Sequence, residues 1–412
     1  MTLERTEQRP ADWRWLIAFI VLAYAMLIAG AGCFQGGGGT LLQALGVPAL
    51  EAPLMDLRGV AVWCDAWAQG SDPAVAQTWI ILPGGVKHPN FLMNYSPLVL
   101  GLGKLGLTET TASFWGIGLA LLYLGSLGVL CGRCSLRQAL LWAFLICSPA
   151  SVLVIERGNL DELIFALLIL ALVLRKQPLL APLVILAASC LKFFPILSLI
   201  APWKASGEDH PEQIKRGVVI TALLFLGFLV LIRSRLLSIG GSLGGQYQSA
   251  FGFCLPADLL IHHRILMDGA FSKWLRILLR IIACSGILGG ILAGVFFWRE
   301  SEGVRYSERA RHAFLLTAPV MLALFVQGPQ MDYKWIFFLP MVPLIVEMLS
   351  SDETIEALSA KIWIGGMGAY SYWTLFSDEG CLRNALLKQS LMWIVIFLSA
   401  LLLGRIWNQK SA

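Results

Sequence analysis

Apolar runs long enough to cross a bilayer recur along the sequence, at Trp15–Phe34, Thr110–Leu130, Leu275–Trp298 and Ala385–Ile406, and they leave few folds open. Hydrocarbon offers no water to the backbone, so a spanning segment must be a helix or part of a closed barrel. Barrel strands alternate with a period of two; these runs are continuous, so helices are expected. Composition agrees, with 57% of the 412 residues hydrophobic and 14% charged, against about 45–50% and about 25% in soluble domains. The sequence therefore predicts an all-α, polytopic membrane protein. Its net charge of +5 is small and gives no reason to expect nucleic acid as a partner.

Loop charges orient the chain. Arg5, Arg9 and Arg14 precede the first run, which places the amino end in the cytoplasm by the positive-inside rule. Residues 14–34 read as the first transmembrane helix and 35–109 as an external loop carrying juxtamembrane helices. Residues 110–232 read as a helical module, 233–274 as a second external loop and 275–406 as the C-terminal helices, all in one integral-membrane domain. Phe91–Leu107 contains Pro97 and Lys104. If it spans, the basic loop with Arg133 and Arg137 falls outside; if it lies on the outer surface, every later basic loop falls inside. The surface helix is the better reading. About twelve crossings follow, with both termini cytoplasmic in a cell inner membrane.

Between the first two runs, Gln35 to Pro97 holds Asp56, Asp65, Asp72, Trp63, Trp67, Trp79 and Tyr95. A connection this long is functional or disordered, and the helical spacing of Leu57, Val60, Ala61 and Trp67 argues for a fold. With this orientation Asp56, Asp72, Glu156, Arg157, Asn159, Asp161, Lys192, Asp332 and Lys334 all fall near the outer face. Charges at membrane depth line a watery cavity or pair with one another, so one shared cleft is expected. Asn159 or Asp161 caps the helix that follows. Lys192 lies deep in an apolar run that Pro195 breaks; it meets either an anion or an internal partner, Glu156 or Asp161.

The order Arg157-Gly158-Asn159-x-Asp161, a leucine-rich helix, a short basic turn and Leu191-Lys192-x-x-Pro195 resembles the GT-C superfamily of polytopic glycosyltransferases. It is most similar to family 87, the polyprenol-phosphate-mannose-dependent mannosyltransferases with a DUF2029-like domain. Met55-Asp56-Leu57-Arg58 is similar to that family's D-L-x-V-Y segment, Gly70-Ser71-Asp72-Pro73 to its G-x-D-P turn, and Asn94-Tyr95-Ser96-Pro97-Leu98 to its Y-P-P-L segment. Asp332-Tyr333-Lys334-Trp335-Ile336-Phe337 looks like its Y-[KR]-x-I-F block. Gly59-Val60-Ala61 and Ala74 depart from the family's usual residues.

The resemblance implies a sugar, mannose in the family, carried on a polyprenyl phosphate, and a glycan or glycolipid hydroxyl as acceptor on the outer face. Asp56 would be the general base, with a helix cap or a solvated carboxylate as its plainer reading. Lys192, Lys334 and Arg157 would bind the donor phosphate; Arg58, Tyr95, Glu156, Asn159, Asp161, Asp332 and Tyr333 would support the site or hold acceptor. No cofactor is expected and no metal is required, although a divalent ion stays open. His262-His263 read as loop residues, Asp72 as a turn former, Cys131/Cys134 as a helix-end coincidence, and Gly36–Gly39 and Gly240–Gly245 as loops. The rival class is a secondary transporter or a flippase for a lipid-linked glycan, for which internal repeats and midplane polar groups would speak.

Overall fold

The protein is described by a computed structural model that covers residues 12–34, 38–49, 52–81, 85, 87–90, 93, 95–205, 211–236, 250–266, 269–297, 306–328, 330–351, 354–376 and 382–408. The Gly240–Gly245 run, Gly36, Gly37, Phe91, Asn94, Arg5 and Arg9 lie outside these, while Gly38 and Gly39, expected in a loop, open a short helix.

The described residues are predominantly helical. Helices α1 (Arg14–Phe34), α2 (Gly38–Ala44) and α3 (Met55–Ala68) come first, followed by a small ribbon of β1 (Trp79–Ile81) and β2 (Lys87–Pro89). Then follow α4 (Ala112–Cys131), α5 (Leu136–Ile146), α6 (Pro149–Arg157), α7 (Asp161–Val173) and α8 (Leu180–Leu191). After them come α9 (Ile200–Ala205), α10 (Pro211–Leu231), α11 (Arg233–Leu236), β3 (Ala250–Phe251), α12 (Leu255–His262), α13 (Ala270–Phe297) and α14 (Glu308–Gln327). Strand β4 (Gln330–Met331) precedes α15 (Val342–Leu349), α16 (Thr354–Ser371), α17 (Trp373–Phe376) and α18 (Leu382–Asn408).

Five of these are long and apolar enough to span by themselves: α4, α10, α13, α14 and α18. The bent pair α5–α6 makes a sixth. Within the 110–232 module, the apolar run Arg137–Val154 reads as one crossing, but it is two helices at 51°, because Ser148 caps a new start and Pro149 follows at the first turn. Apolar side chains such as Phe114, Leu121, Leu223, Leu231 and Ile281 stand exposed around the bundle, as lipid contact requires.

At the centre α14 is the most enclosed of the five long apolar helices. Phe314 and Phe325 are fully buried there beside Trp335, Phe337 and Phe338 of a 3-10 segment, Asp332–Met341, that leads into α15. Two tiny antiparallel pairs went unforeseen: Ile80 opposite His88, and Ala250–Phe251 against Gln330–Met331. The second ties the start of α12 to the approach of the Asp332 segment.

The described residues ahead of α4 are packed together. Leu57, Val60, Ala61 and Trp63 on one face of α3 pack with Val99, Leu100, Leu119 and Leu160. Trp67, expected on that face, is instead 42% exposed and stacks under the Arg235 guanidinium at 5.1 Å. Of the surface helix expected over Phe91–Leu107, the described part is a 3-10 segment, Pro97–Leu105, whose first turn is capped by Ser96. At about 2 Å per residue it reaches about 18 Å, short of the roughly 30 Å hydrocarbon layer.

Candidate functional site

The site grows from one turn. Gly158 ends α6 in the left-handed conformation at φ 59°, which glycine adopts without penalty. The close approach also needs a bare Cα, since a Cβ there would stand 2.8 Å from Leu54 Cδ2. Leu54, itself left-handed, donates its backbone N–H to the Glu156 carbonyl at 2.7 Å. The N-terminus of α3, and with it Asp56, is thereby fastened to the end of α6.

Asn159, next in the turn, is fully buried, and its side chain joins four groups. Its Oδ1 accepts from the Asp161 backbone N–H at 2.9 Å, capping α7, and from Lys192 Nζ at 2.9 Å. Its Nδ2 donates to Asp56 Oδ2 at 2.6 Å and to the Tyr95 hydroxyl at 3.2 Å. All of the amide's ordinary capacity, two acceptances and two donations, is used.

Lys192 arrives from another direction. At the end of α8 its backbone turns extended, φ −138° and ψ 132°, and Pro195 opens the next 3-10 segment, Phe194–Leu199. The ammonium is aimed at Asp161 Oδ1, 2.8 Å away, and lies 4.3 Å from the Tyr95 ring centroid. The internal partner left open between Glu156 and Asp161 is Asp161. Tyr95 is braced edge-on by Trp63 at 5.6 Å.

Tyr333 and Lys334 close the group. Lys334 feels Asp161 and Asp56 as opposite charges and Lys192 as a like one, while Tyr333 lies in range of Asp56, Tyr95 and Asp161. Lys334 donates to Gln330 and sits 5.5 Å from the Phe194 ring. Among the described residues its ammonium meets an amide oxygen and an aromatic face, not a carboxylate.

Other expected members stand apart. Arg157 pairs with Glu156 at 3.3 Å and donates to the Pro48 carbonyl at 3.3 Å, both side chains being buried; it is held, not directed at Asp56. Arg58 folds back on the Pro53 carbonyl at 3.2 Å and lies 4.0 Å from Glu109. Asp332 is bonded to Tyr370 and Lys388 in a separate buried network. Asp72 makes its turn, accepting from the Ala74 N–H at 3.1 Å, and also pairs with Arg235. His262 and His263 end α12, their rings edge to face at 5.4 Å, and Asp65 lies half-exposed on α3. The single shared cleft is thus two clusters and two local pairs.

Sequence reasoning overlooked Lys388, Tyr370 and Gln330. Lys388 offered a signal, a lysine within the apolar run of α18; the other two are unremarkable polar residues. It also overlooked Glu162, fully buried beside Asp161 with neither carboxylate oxygen bonded. Among the described residues no three His, Cys, Asp or Glu side chains group closely enough to hold a metal ion. Comparison with protein-family models, curated proteins and solved structures finds no match to this chain.

Proposed function

We propose that this protein is an integral-membrane glycosyltransferase of the GT-C type, akin to family 87, that moves a hexose from a polyprenyl phosphate to a glycan or glycolipid hydroxyl. In this reading the broken and shorter helices also cross, giving about twelve spans. The termini lie in the cytoplasm of a cell inner membrane and the site opens on the outer face.

One arrangement carries the reading. Asp56 is half-exposed and held by a neutral amide at 2.6 Å, beside two lysines of which one has no carboxylate partner among the described residues. A carboxylate positioned by an amide, and not covered by a cation among the described residues, stays open to an incoming hydroxyl. The acceptor hydroxyl adds to the anomeric carbon from the face opposite the phosphate while Asp56 takes its proton. The C–O bond to phosphate breaks and the electron pair leaves with the phosphate, so the anomeric centre inverts. Lys334 balances the charge that develops on the leaving oxygen, with Lys192 behind it; cations set in place beforehand need no reorganisation at that moment. Arg157, engaged by Glu156, acts at longer range. No cofactor is invoked in this scheme.

The test uses the purified full chain in liposomes with radiolabelled polyprenyl-phosphate hexoses. Transfer of label to an added glycan or glycolipid fraction supports the reading. Movement of labelled lipid between leaflets without transfer would replace it with the flippase.

A further inference from the structure

At the opposite end of α1 from the Gln35 loop lies a feature that the proposed chemistry does not use. A groove of about 300 Å³ runs between α1 and α4, with Arg14 at one end and Ala25 and Leu124 toward the other. Ile17 and Val21 line one wall, Leu127 and Gly128 the other. From Arg14 to Ala25 the helix climbs about 16 Å at about 1.5 Å per residue, close to half of the roughly 30 Å hydrocarbon core. The groove is therefore as long as one leaflet is thick.

Its mouth is basic. Arg14 is paired with Asp12 at 2.6 Å, and the Trp13 backbone N–H donates to the Cys134 carbonyl at 3.2 Å, which brings the loop carrying Arg133 to the same end of α1. Arg309 reaches the end of α4, where it donates to the Val129 carbonyl and interacts with Cys131, which also lines the groove. Arg14 is matched by Asp12, while Arg133 beside it and Arg309 at the end of α4 add further positive charge where a lipid headgroup would lie. Basic residues at this level attract anionic lipids and give zwitterionic ones no such advantage.

We infer that the α1–α4 groove is a binding site for one acidic phospholipid, its phosphate at Arg14 and Arg133 and one acyl chain laid along Ile17, Val21, Leu127 and Gly128. The lipid fills the gap that holds α1 apart from α4 and so fixes the first helix to the bundle. The inference rests on the membrane character of the chain and not on the glycosyl-transfer reading.

Native mass spectrometry of the full chain tests it, with phosphatidylglycerol and phosphatidylcholine of matched acyl chains added after delipidation. Retention of phosphatidylglycerol is expected to exceed that of phosphatidylcholine by fivefold or more, at about fivefold per basic group engaged. Gly128→Leu fills the groove without touching a charge, and a Cβ at Gly128 meets no atom within 4 Å. That variant is expected to abolish the excess, and Arg14→Gln with Arg133→Gln to reduce it. Equal retention of the two lipids by the wild type, or an undiminished excess in Gly128→Leu, overturns the site. Should the double variant not fold, Gly128→Leu decides alone.

Discussion

Asn159 donates its side-chain amide to the Asp56 carboxylate at 2.6 Å across a separation of 103 residues. Through its carbonyl the same side chain accepts from Lys192 at 2.9 Å. One neutral group thus spaces an acid from a cation, orienting both and neutralising neither.

The first prediction concerns Asp56. Asp56→Asn keeps shape and can still bond to Asn159 but cannot take a proton. Transfer is expected to fall about 10²- to 10⁴-fold, the usual contribution of a general base, with thermal stability nearly unchanged. Both are read on one preparation, and unaltered turnover in a folded variant removes the base assignment.

Lys192 is bound into the fold as well as the site. Lys192→Met strands Asp161, which is fully buried, and removing one partner of a buried pair destabilises by about 3–5 kcal/mol. The double variant Lys192→Met/Asp161→Leu is expected to regain much of that stability in denaturation experiments while staying inactive. A double variant with restored transfer would make the pair purely structural.

For Lys334 the balance is reversed. It has no carboxylate partner among the described residues, so Lys334→Met is expected to leave stability almost unchanged. A charge-assisted bond to the donor phosphate is worth about 1.5–3 kcal/mol, so the donor KM should rise about 10- to 100-fold. An equal rise in the acceptor KM would argue against phosphate contact.

Asp332 supplies a control. It belongs with Lys388 and Tyr370, so Lys388→Met should destabilise by about 3–5 kcal/mol, leaving a buried carboxylate unmatched. Asp332→Asn/Lys388→Met is expected to recover stability and to keep transfer per folded molecule. Loss of acceptor binding in that double variant would return Asp332 to the site.

Gly158→Ala tests the turn. A left-handed conformation costs a residue with Cβ about 1–2 kcal/mol, and the added carbon would press on Leu54. Reduced stability together with reduced transfer is expected, because α3 carries Asp56. Loss of stability with full transfer would separate the turn from the base.

Much of this was legible along the chain because its causes are local. Hydropathy marks α4, α13 and α18; Pro195 and the charge of Lys192 mark the end of α8; Gly158 and Asn159 mark the turn between α6 and α7. Each rests on a few neighbouring residues: a missing N–H, a permitted positive φ, a side chain able to cap. The bend at Pro149 was open to the same reasoning and was passed over, since apolar character alone does not distinguish one long helix from two.

By itself, then, the sequence determined that the chain is a helical membrane protein, where key helices break, and which ionisable groups are too costly to lie there idle. Only the tertiary structure decided their partners. Lys192 takes Asp161 and not Glu156, Asp72 takes Arg235, and Asp332 takes Lys388 from α18. The physical reason is reach: an ion pair depends on a few ångströms between side chains, and helix packing sets that distance across tens to hundreds of residues. Local propensities stop within a turn or two, whereas the meeting of Asp56, Asn159 and Lys192 requires α3, α7 and α8 to be packed together first.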